Sequence, residues 1–361
     1  MSQLEEFLQE WNASSPFVSV HTSGSTGKPK PVRAAKQAML NSARITCDFL
    51  GLKPGDTTLL CMDLKYIGAK MMVVRSIERQ LRLFSVAPTG HPLSDQSLAH
   101  ASSVAFDSSA VGLPSPVPGL PEVVPTSFSL VAMVPLQVYN SLLVADEATR
   151  LRQIRHLIIG GGAVDNYLVQ ALKDFPNAVW STYGMTETLS HVALRRLNGP
   201  SASEWYEPFD GVQIACDGDG CLVIDAPQVH DGWLVTNDLV ETKTVKTADG
   251  QHKKQFRVLG RKDNVIVSGG VKIQIEEVEQ SLRPFLSRPF AVSKRSDEKF
   301  GEVVVLVTEA TDLADVSEIC MNALPKYWVP RHYLHIDKIP LTQTGKIARG
   351  EVLRFVTQQN P

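Results

Sequence analysis

The sequence has no excess of charge of either sign and no long apolar run. Its 361 residues include 36 Lys and Arg against 38 Asp and Glu, a formal net charge of -2, which excludes a generally basic nucleic-acid-binding protein. No apolar run approaches the roughly 18 residues that span a bilayer. The start, MSQLEEFLQEWN, lacks the basic region and apolar core of a signal peptide. We therefore expect a cytoplasmic protein.

The cysteines are too few and too scattered for a disulfide framework. They stand at positions 47, 61, 216, 221 and 320, and no second pair or histidine near Cys216 and Cys221 completes a zinc site. We expect reduced thiols. With 43% hydrophobic and 20% charged residues, the composition is typical of a globular protein, and the length of about two domains.

Short apolar runs alternate with segments of helical periodicity over the first two thirds of the chain. Strands are predicted at 57–62, 82–86 and 157–159, and helices at 69–79, 130–141 and 166–173. From 212 to 235 short strands with tight DG turns indicate β-hairpins. We predict an α/β fold with a large domain of layered sheets and a β-rich section (1–260). The boundary to a small, mobile α+β domain (261–361) lies in the GRKD segment (260–263).

A polar, glycine-bearing segment, HTSGSTGKPKP, follows the strand predicted at Phe17–Val20 and precedes a helical pattern. Its hydroxyls and glycines suit a loop that binds a polyphosphate through side chains and backbone N–H groups. A Walker A loop is excluded, because Thr22 stands at the first glycine position and Pro29 follows Lys28. The sequence predicts strand, phosphate loop, helix, and a solvated flexible loop is the alternative.

Two further segments have the composition of a nucleotide site. The run STYGMTET (181–188) gathers hydroxyls, an aromatic ring and the Glu187 carboxylate, which beside a polyphosphate makes sense as a cation ligand. The alternative is a helix N-terminus capped by Ser181 or Thr186. The glycines at 160–162 follow a predicted strand, but Asp165 stands where a dinucleotide-binding motif needs its third glycine. The alternative interpretation is a tight strand-to-helix turn that lets a flat ring approach closely.

Asp238, Arg261 and Lys346 are isolated charges whose local sequence indicates only exposed turns. Together with the segments above they complete five motifs in a fixed order. These are TSGSTGKPK (22–30), YGMTE (183–187), TNDLV (236–240), GRKDNVIVSGGVKIQIEEVE (260–279) and PLTQTGKI (340–347). The sequence therefore resembles the adenylate-forming superfamily of acyl-CoA synthetases, luciferases and peptide-synthetase adenylation domains.

The resemblance implies a role for each motif. It implies that the ATP phosphates are bound by Thr22, Ser23, Gly24, Ser25, Thr26, Gly27, Lys28 and Lys30. It implies that the adenine is framed by Gly160, Gly161, Gly162, Ala163, Ser181, Thr182, Tyr183 and Gly184. Phosphate and Mg²⁺ would fall to Thr186 and Glu187, and the ribose hydroxyls to Asp238 and Arg261. Lys346 is similar to the family's adenylation lysine, and Asp263 to the hinge on which the small domain turns. In a second domain orientation the CoA route would be lined by Ser268, Gly269, Gly270 and Lys272.

Within the superfamily, KYIGAKMMVVR (65–75) and YGMTETLSHVALRRLNG (183–199) look like the ligases that join o-succinylbenzoate to CoA in menaquinone synthesis. This substrate is a diacid, and burying its second carboxylate unpaired costs several kcal/mol. The predicted partners are Lys70, Arg75 and His191; a helix-surface arginine and a packed histidine are the alternatives. ATP, Mg²⁺ and CoA are the expected cofactors, and a homodimer stays open.

Two features depart from the family pattern. The phosphate loop begins at residue 22, where relatives carry a long segment before it, so an N-terminal subdomain is expected to be abbreviated or missing. Asn237 replaces the glycine of the usual TGD. The competing functions are another aryl- or acyl-CoA ligase, a carrier-loading adenylation domain, and a non-catalytic nucleotide-binding regulatory module. The presence of both Lys346 and Glu187 speaks against the last.

Overall fold

Helices and strands alternate along most of the chain. The computed structural model describes residues 2–21, 31–106, 124–246, 250–342 and 346–359. Within these residues the strands are β1 (Phe17–His21), β2 (Pro31–Ala35), β3 (Thr57–Leu60), β4 (Arg82–Ser85), β5 (Ser102–Val104), β6 (Leu130–Met133), β7 (His156–Ile159), β8 (Ala178–Gly184), β9 (His191–Arg196), β10 (Glu207–Pro208), β11 (Gln213–Cys216), β12 (Cys221–Asp225), β13 (Leu234–Lys246), β14 (His252–Arg261), β15 (Val265–Ser268), β16 (Val271–Gln274), β17 (Phe290–Asp297), β18 (Gly301–Thr308) and β19 (His332–His335). The helices are α1 (Gln3–Asn12), α2 (Lys36–Phe49), α3 (Ile67–Arg79), α4 (Asp95–Ala99), α5 (Pro135–Leu142), α6 (Ala145–Gln153), α7 (Asn166–Leu172), α8 (Ile275–Leu282), α9 (Leu313–Ala323) and α10 (Arg349–Gln358), with a short 3-10 turn at Lys262–Asn264.

An eight-stranded sheet carries the predicted adenine segments. Its order is β10-β9-β8-β7-β6-β3-β4-β5, with five parallel strands from β8 to β4 and antiparallel strands at both edges. One face packs against α1, α2 and α3, and the other against α4, α5, α6 and α7. The carboxyl ends of parallel strands meet at one edge of a sheet, where α/β proteins bind ligands. Residues 160–163 and 181–184 end neighbouring strands there.

A four-stranded antiparallel sheet, β11-β12-β13-β14, follows the eight-stranded sheet along the chain. The DGDG segment joins β11 to β12, as the hairpin pattern predicts, and the long β13–β14 hairpin places Asp238 directly opposite Arg261. Its apolar side packs against Tyr183 of β8 and Val192 of β9. This packing brings two motifs that are 50 residues or more apart in sequence to the same place.

The residues after Arg261 form a separate layer of strands and helices. Strands β16, β15, β18 and β17 pair in that order, and β19 runs parallel to β18. Helices α8 and α9 cover one face and α10 the other. Among the described residues, the buried clusters of this region begin at Ile266, and those of the preceding region end at Val258. The α/β fold class is confirmed.

Two predictions of local structure are wrong. The loop at 22–30 does not lead from a strand into a helix, because β1 and β2 pair antiparallel on either side of it and α2 begins only at Lys36. Pro31 and the β-branched Val32 favour extended backbone here. The helix predicted at 130–141 is a strand in its first part, since Leu130–Met133 is buried on both faces of the sheet. The helix begins at Pro135, a residue favoured at the first helical position.

Candidate active site

The predicted phosphate loop lies outside the described residues. This applies to Thr22, Ser23, Gly24, Ser25, Thr26, Gly27, Lys28 and Lys30. Strands β1 and β2, which the loop joins, pair in register from Phe17 and Ala35 to His21 and Pro31. The proposed role of the loop in binding phosphates therefore stays a prediction.

The glycine turn after β7 makes room for two neighbours. A Cβ atom at Gly160 would come within 2.6 Å of the Thr182 hydroxyl oxygen, and Gly161 has a positive φ of 74° that favours glycine. A Cβ at Gly162 would lie 3.7 Å from Cε of Lys346. Lys346 thus lies close to the carboxyl edge of the sheet, beside the turn between β7 and α7.

The YGMTE segment ends strand β8 and enters a turn. A Cβ at Gly184 would collide with the backbone of Ser190 and His191, so this position requires glycine. Residues 185–190 form the turn to the antiparallel strand β9, which makes the alternative of a capped helix wrong. Thr186 is buried and Glu187 exposed in this turn. The Glu187 carboxylate is therefore exposed to solvent, where a ligand can reach it.

Ser181, Thr182 and Tyr183 direct their hydroxyls to three different places. The Ser181 hydroxyl is 2.8 Å from that of Tyr206, and the Thr182 hydroxyl donates to the carbonyl of Ile159 at 3.3 Å. The Tyr183 hydroxyl donates to Oδ2 of Asp238 at 2.6 Å. Burial and the Asp238 charge raise the pKa of Tyr183, so the phenol stays a donor. The second oxygen of Asp238 lies 3.6 Å from Nη1 of Arg261.

Lys346 lies at this Asp238–Arg261 pair. Burial and then the positive charge of Arg261 lower the pKa of Lys346, and the negative charge of Asp238 opposes that shift. Since Cε of Lys346 is also close to Gly162, the structure brings together the glycine turn, the predicted ribose residues and the predicted adenylation lysine. An ammonium that is subject to the charges of Arg261 and Asp238 and lies beside a glycine turn suits an anionic ligand such as a nucleotide phosphate.

The predicted hinge residue Asp263 is bound to the same cluster. Its Oδ2 accepts hydrogen bonds from Nη2 of Arg261 at 3.1 Å and from Nδ2 of Asn237 at 3.2 Å. Asn237, the residue that departs from the family pattern, therefore contacts the segment between the two regions. A second contact between the regions is an ion pair of Arg283, which follows α8, with Asp165 at the start of α7.

The predicted CoA-route residues form the turn of the β15–β16 hairpin. Gly269 and Gly270 both have positive φ, 57° and 84°, as two-residue hairpin turns require. Ser268 pairs with Gly301 of β18. In the β11–β12 turn the pKa of Asp219 is lowered mainly by Lys262, and the positive charge of Lys272 adds to this shift. The hairpin therefore lies near the four-stranded sheet.

Arg75 is a buried cation in a small polar cluster. Its side chain is on α3 with 1% of the residue exposed. Its Nη2 lies 2.7 Å from the Ser190 hydroxyl and 3.5 Å from that of Thr46. Within the described part of the chain no carboxylate pairs with it. Burial lowers the pKa of the guanidinium to about 10. Arg75 is thus a buried positive charge without a carboxylate partner among the residues that the structure describes.

His191 completes the cluster and forms one wall of a pocket. Its Nε2 is 3.0 Å from the Thr46 hydroxyl and its Nδ1 3.4 Å from that of Ser190. Burial and then the Arg75 charge lower the pKa of His191 well below its usual value, so the imidazole is neutral at pH 7. The pocket is small and open to solvent, and its apolar lining includes Ile45, Phe209, Val212, Ala226 and Val229.

The structure does not bring the third predicted diacid partner, Lys70, into this cluster. Its ammonium donates to the carbonyl of Ser19 at 2.8 Å and lies 3.7 Å from Glu10, so it ties α3 to β1 and α1. Sequence reasoning also missed Thr46 and Ser190. The signal for Thr46 is a polar residue on the apolar stripe of α2, four positions after the buried Ser42.

Comparisons with known proteins show the family to which the chain belongs. The model of the AMP-binding enzyme family matches residues 3–219. An acyl-CoA synthetase (AMP-forming)/AMP-acid ligase II-like protein from Dyadobacter fermentans is 31% identical, with a TM-score of 0.58 over 96% of this chain and 92% of the other. The 2-succinylbenzoate–CoA ligase of Bacillus mycoides is 24% identical over 98% of this chain and 73% of the relative. The o-succinylbenzoate coenzyme A synthetase of Bacillus subtilis, in complex with ATP and magnesium ion, has a TM-score of 0.63 at 21% identity, over 92% and 69% of the two chains.

The chain belongs to the AMP-binding enzyme family and is a ligase of the adenylate-forming superfamily, as the five motifs predict. The predicted resemblance to o-succinylbenzoate–CoA ligases is confirmed, because these enzymes are similar to the chain in sequence and in structure. No helix in the described ranges is long and apolar enough to cross a membrane.

Proposed function

We propose that this enzyme is an ATP-dependent acid–CoA ligase that forms an acyl-adenylate and acts on a diacid of the o-succinylbenzoate type. Two observations support the two parts of the proposal. The position of Lys346 beside Gly162, Asp238 and Arg261 supports adenylation. The buried, uncompensated guanidinium of Arg75 supports a substrate with a second carboxylate, and it is the observation that carries the choice of substrate.

In the first half-reaction a carboxylate oxygen of the acid attacks the α-phosphorus of ATP. The bond from this phosphorus to the bridging oxygen of the β-phosphate breaks, and acyl-AMP and pyrophosphate result. Negative charge develops on the α-phosphoryl oxygens and on the leaving pyrophosphate, and the Lys346 ammonium neutralises it without a covalent enzyme intermediate. Asp238, held by Tyr183 and Arg261, would accept hydrogen bonds from the ribose hydroxyls.

Mg²⁺ fits the residues present at Glu187. Within the described ranges no group of three or more acidic, histidine or cysteine side chains could hold a metal ion. An exposed single carboxylate is nevertheless the usual protein contribution where Mg²⁺ takes its other ligands from phosphate and water. Glu187 would hold the ion and Thr186 would stand beside the phosphate. When bound, the ion would neutralise phosphate charge.

In the second half-reaction the thiolate of CoA attacks the acyl-adenylate carbonyl, and AMP leaves with the pair of electrons of the broken acyl–oxygen bond. A thiol with a pKa of about 8.5 is ionised to a few per cent at neutral pH, so a dedicated base is not required. We propose that residues 261–361 form a lid domain on the large domain 1–260. The lid would turn at Asp263 between the half-reactions and bring Ser268–Lys272 to the thiol route.

We place the apolar body of the acid against the apolar side chains of the pocket beside His191. Its aliphatic and aromatic lining adjoins the Arg75 cluster through His191. The Ser190 hydroxyl can donate a hydrogen bond to a carboxylate, and the Arg75 guanidinium that contacts it supplies the charge. A monoacid of the same shape would leave this charge uncompensated, so the site should prefer diacids.

The decisive experiment is ATP–pyrophosphate exchange with a panel of acids that contains o-succinylbenzoate, benzoate and medium-chain fatty acids. We expect exchange that depends on the acid, with kcat/KM for o-succinylbenzoate at least about tenfold above that for benzoate, which corresponds to one buried charge pair. Exchange with fatty acids or benzoate alone would assign a different acyl-CoA ligase. No acid-dependent exchange with any member would reject the catalytic proposal.

A further inference from the structure

Arg349 and Glu279 form a two-point ion pair inside the small domain. The two Nη atoms of Arg349 lie 3.0 and 2.8 Å from the two carboxylate oxygens of Glu279. Glu279 is 4% exposed, and its Oε1 also accepts a hydrogen bond from the backbone N–H of Val292 at 2.9 Å. One carboxylate therefore joins α8, α10 and β17. A bidentate pair is fixed in direction as well as in distance.

Arg349 stands three positions after Lys346 and begins helix α10. Backbone hydrogen bonds join the described residues on the two sides of positions 343–345. The backbone N–H of Thr342 donates to the carbonyl of Lys346 at 2.6 Å, and that of Ala348 donates to the carbonyl of Pro340 at 2.8 Å. Residues 340–342 and 346–348 are thus bonded to each other, and the orientation of Lys346 follows that of the helix start to which it is joined.

The first turn of α8 also holds the segment that contains the hinge. Glu276 accepts hydrogen bonds from the side-chain amides of Asn264 and Gln274. Gln274 Nε2 donates in addition to the carbonyl of Arg261 at 3.0 Å, and Glu276 lies 4.0 Å from Nη2 of Arg349. Helix α8 therefore binds the hinge segment through Glu276 and the start of α10 through Glu279.

We propose that Arg349 and Glu279 are positioning residues for Lys346. Their buried pair would hold Lys346 at a fixed distance from the hinge, so that rotation of the small domain brings the ammonium to the α-phosphate. This inference rests on the proposed function, in which Lys346 acts in adenylation and not in thioester formation. A misplacement of about 1 Å is enough to lower a rate about 100-fold. Loss of the pair should therefore slow the first half-reaction and spare the second.

The test measures the two half-reactions of the full chain separately by rapid quench. Acyl-adenylate formation is followed from acid and MgATP, and thioester formation from supplied acyl-adenylate and CoA. For Arg349→Met and Glu279→Gln we expect kcat of the first reaction to fall at least about tenfold, with KM for ATP within about twofold. The second reaction should change by less than about threefold. Arg349→Lys should recover part of the first rate, because it keeps the charge but not the fork geometry.

Arg354→Met is the matched control, because Arg354 is on the same helix, 72% exposed in its side chain and paired with Glu351 at 3.8 Å. It should leave both half-reactions unchanged. If Arg349→Met does not fold, Glu279→Gln and Arg349→Lys decide. Equal loss of both half-reactions, or a full first rate in the folded variants, would overturn the positioning role. A wild-type enzyme that makes no adenylate would instead reject the proposed function.

Discussion

Replacement of Arg75 by methionine should make the free protein more stable and the diacid complex weaker. Burial lowers the pKa of Arg75 from 12.5 to about 10, and one pKa unit corresponds to about 1.4 kcal/mol. Keeping this guanidinium charged in the folded protein therefore costs about 3 kcal/mol. The penalty is present in full at neutral pH, since the group is charged in both the folded and the unfolded states, and it is lost only as the pH rises above about 10.

Methionine has a similar length and no charge, so it removes the penalty together with the hydrogen bond to Ser190. A hydrogen bond of a charged group is worth about 2 kcal/mol, which leaves a net gain of about 1 kcal/mol in the free energy of unfolding. We expect a rise of about 2 °C in Tm. Most substitutions of a buried residue have the opposite sign.

Arg75→Met should also lose its affinity for the second carboxylate of the substrate. Truncation of one partner of a buried charge pair costs about 2–5 kcal/mol, so Kd for o-succinylbenzoate should rise about 30-fold or more. Benzoate should bind the two proteins alike. Thermal unfolding with and without each acid measures both effects together.

Arg79→Met is the control for the Arg75 experiment. Arg79 is one turn further along α3 and is paired with Asp48 and Glu78. Its replacement should lower Tm slightly and leave the diacid preference intact. The reasoning is refuted if Arg75→Met is less stable than the wild type and loses affinity equally for both acids.

Three further outcomes concern the nucleotide side of the site. Lys346→Ala should abolish adenylation yet leave CoA transfer from supplied acyl-AMP largely intact, and equal loss in the two half-reaction assays would contradict its assignment. Because burial lowers the pKa of Lys346 below 10.5 and the ammonium is the active form, the adenylation rate should fall as the pH rises through that lowered value. Lys346→Arg should move this basic limb upward in a pH–rate profile. Tyr183→Phe removes the 2.6 Å hydrogen bond to Asp238, and we expect KM for ATP to rise several-fold with kcat nearly unchanged; an unchanged KM would argue against a ribose contact.

The local structure was predictable where one signal dominates. The hairpin at β11–β12 follows from its DGDG turn, and the strands at 57–62, 82–86 and 157–159 follow from short apolar runs. The run Leu130–Met133 was misassigned as a helix because a buried strand and a buried helix segment have the same apolar composition. Helix α10 escaped prediction, since its sequence is mostly polar and just two of its residues, Val352 and Val356, are buried.

The sequence by itself determined the chemistry of this protein, because each motif is a contiguous run whose residue types and order are characteristic of the superfamily. The contacts between the motifs were decided only by the tertiary structure. Asp238 meets Tyr183 because two sheets pack together, and Lys346 meets Gly162 because the layer of strands and helices after Arg261 packs against the eight-stranded sheet region. The roles of Arg75 and Lys70 differ for the same reason. Both are cations on one helix, and the burial and the partners that distinguish them arise from distant segments folded around that helix.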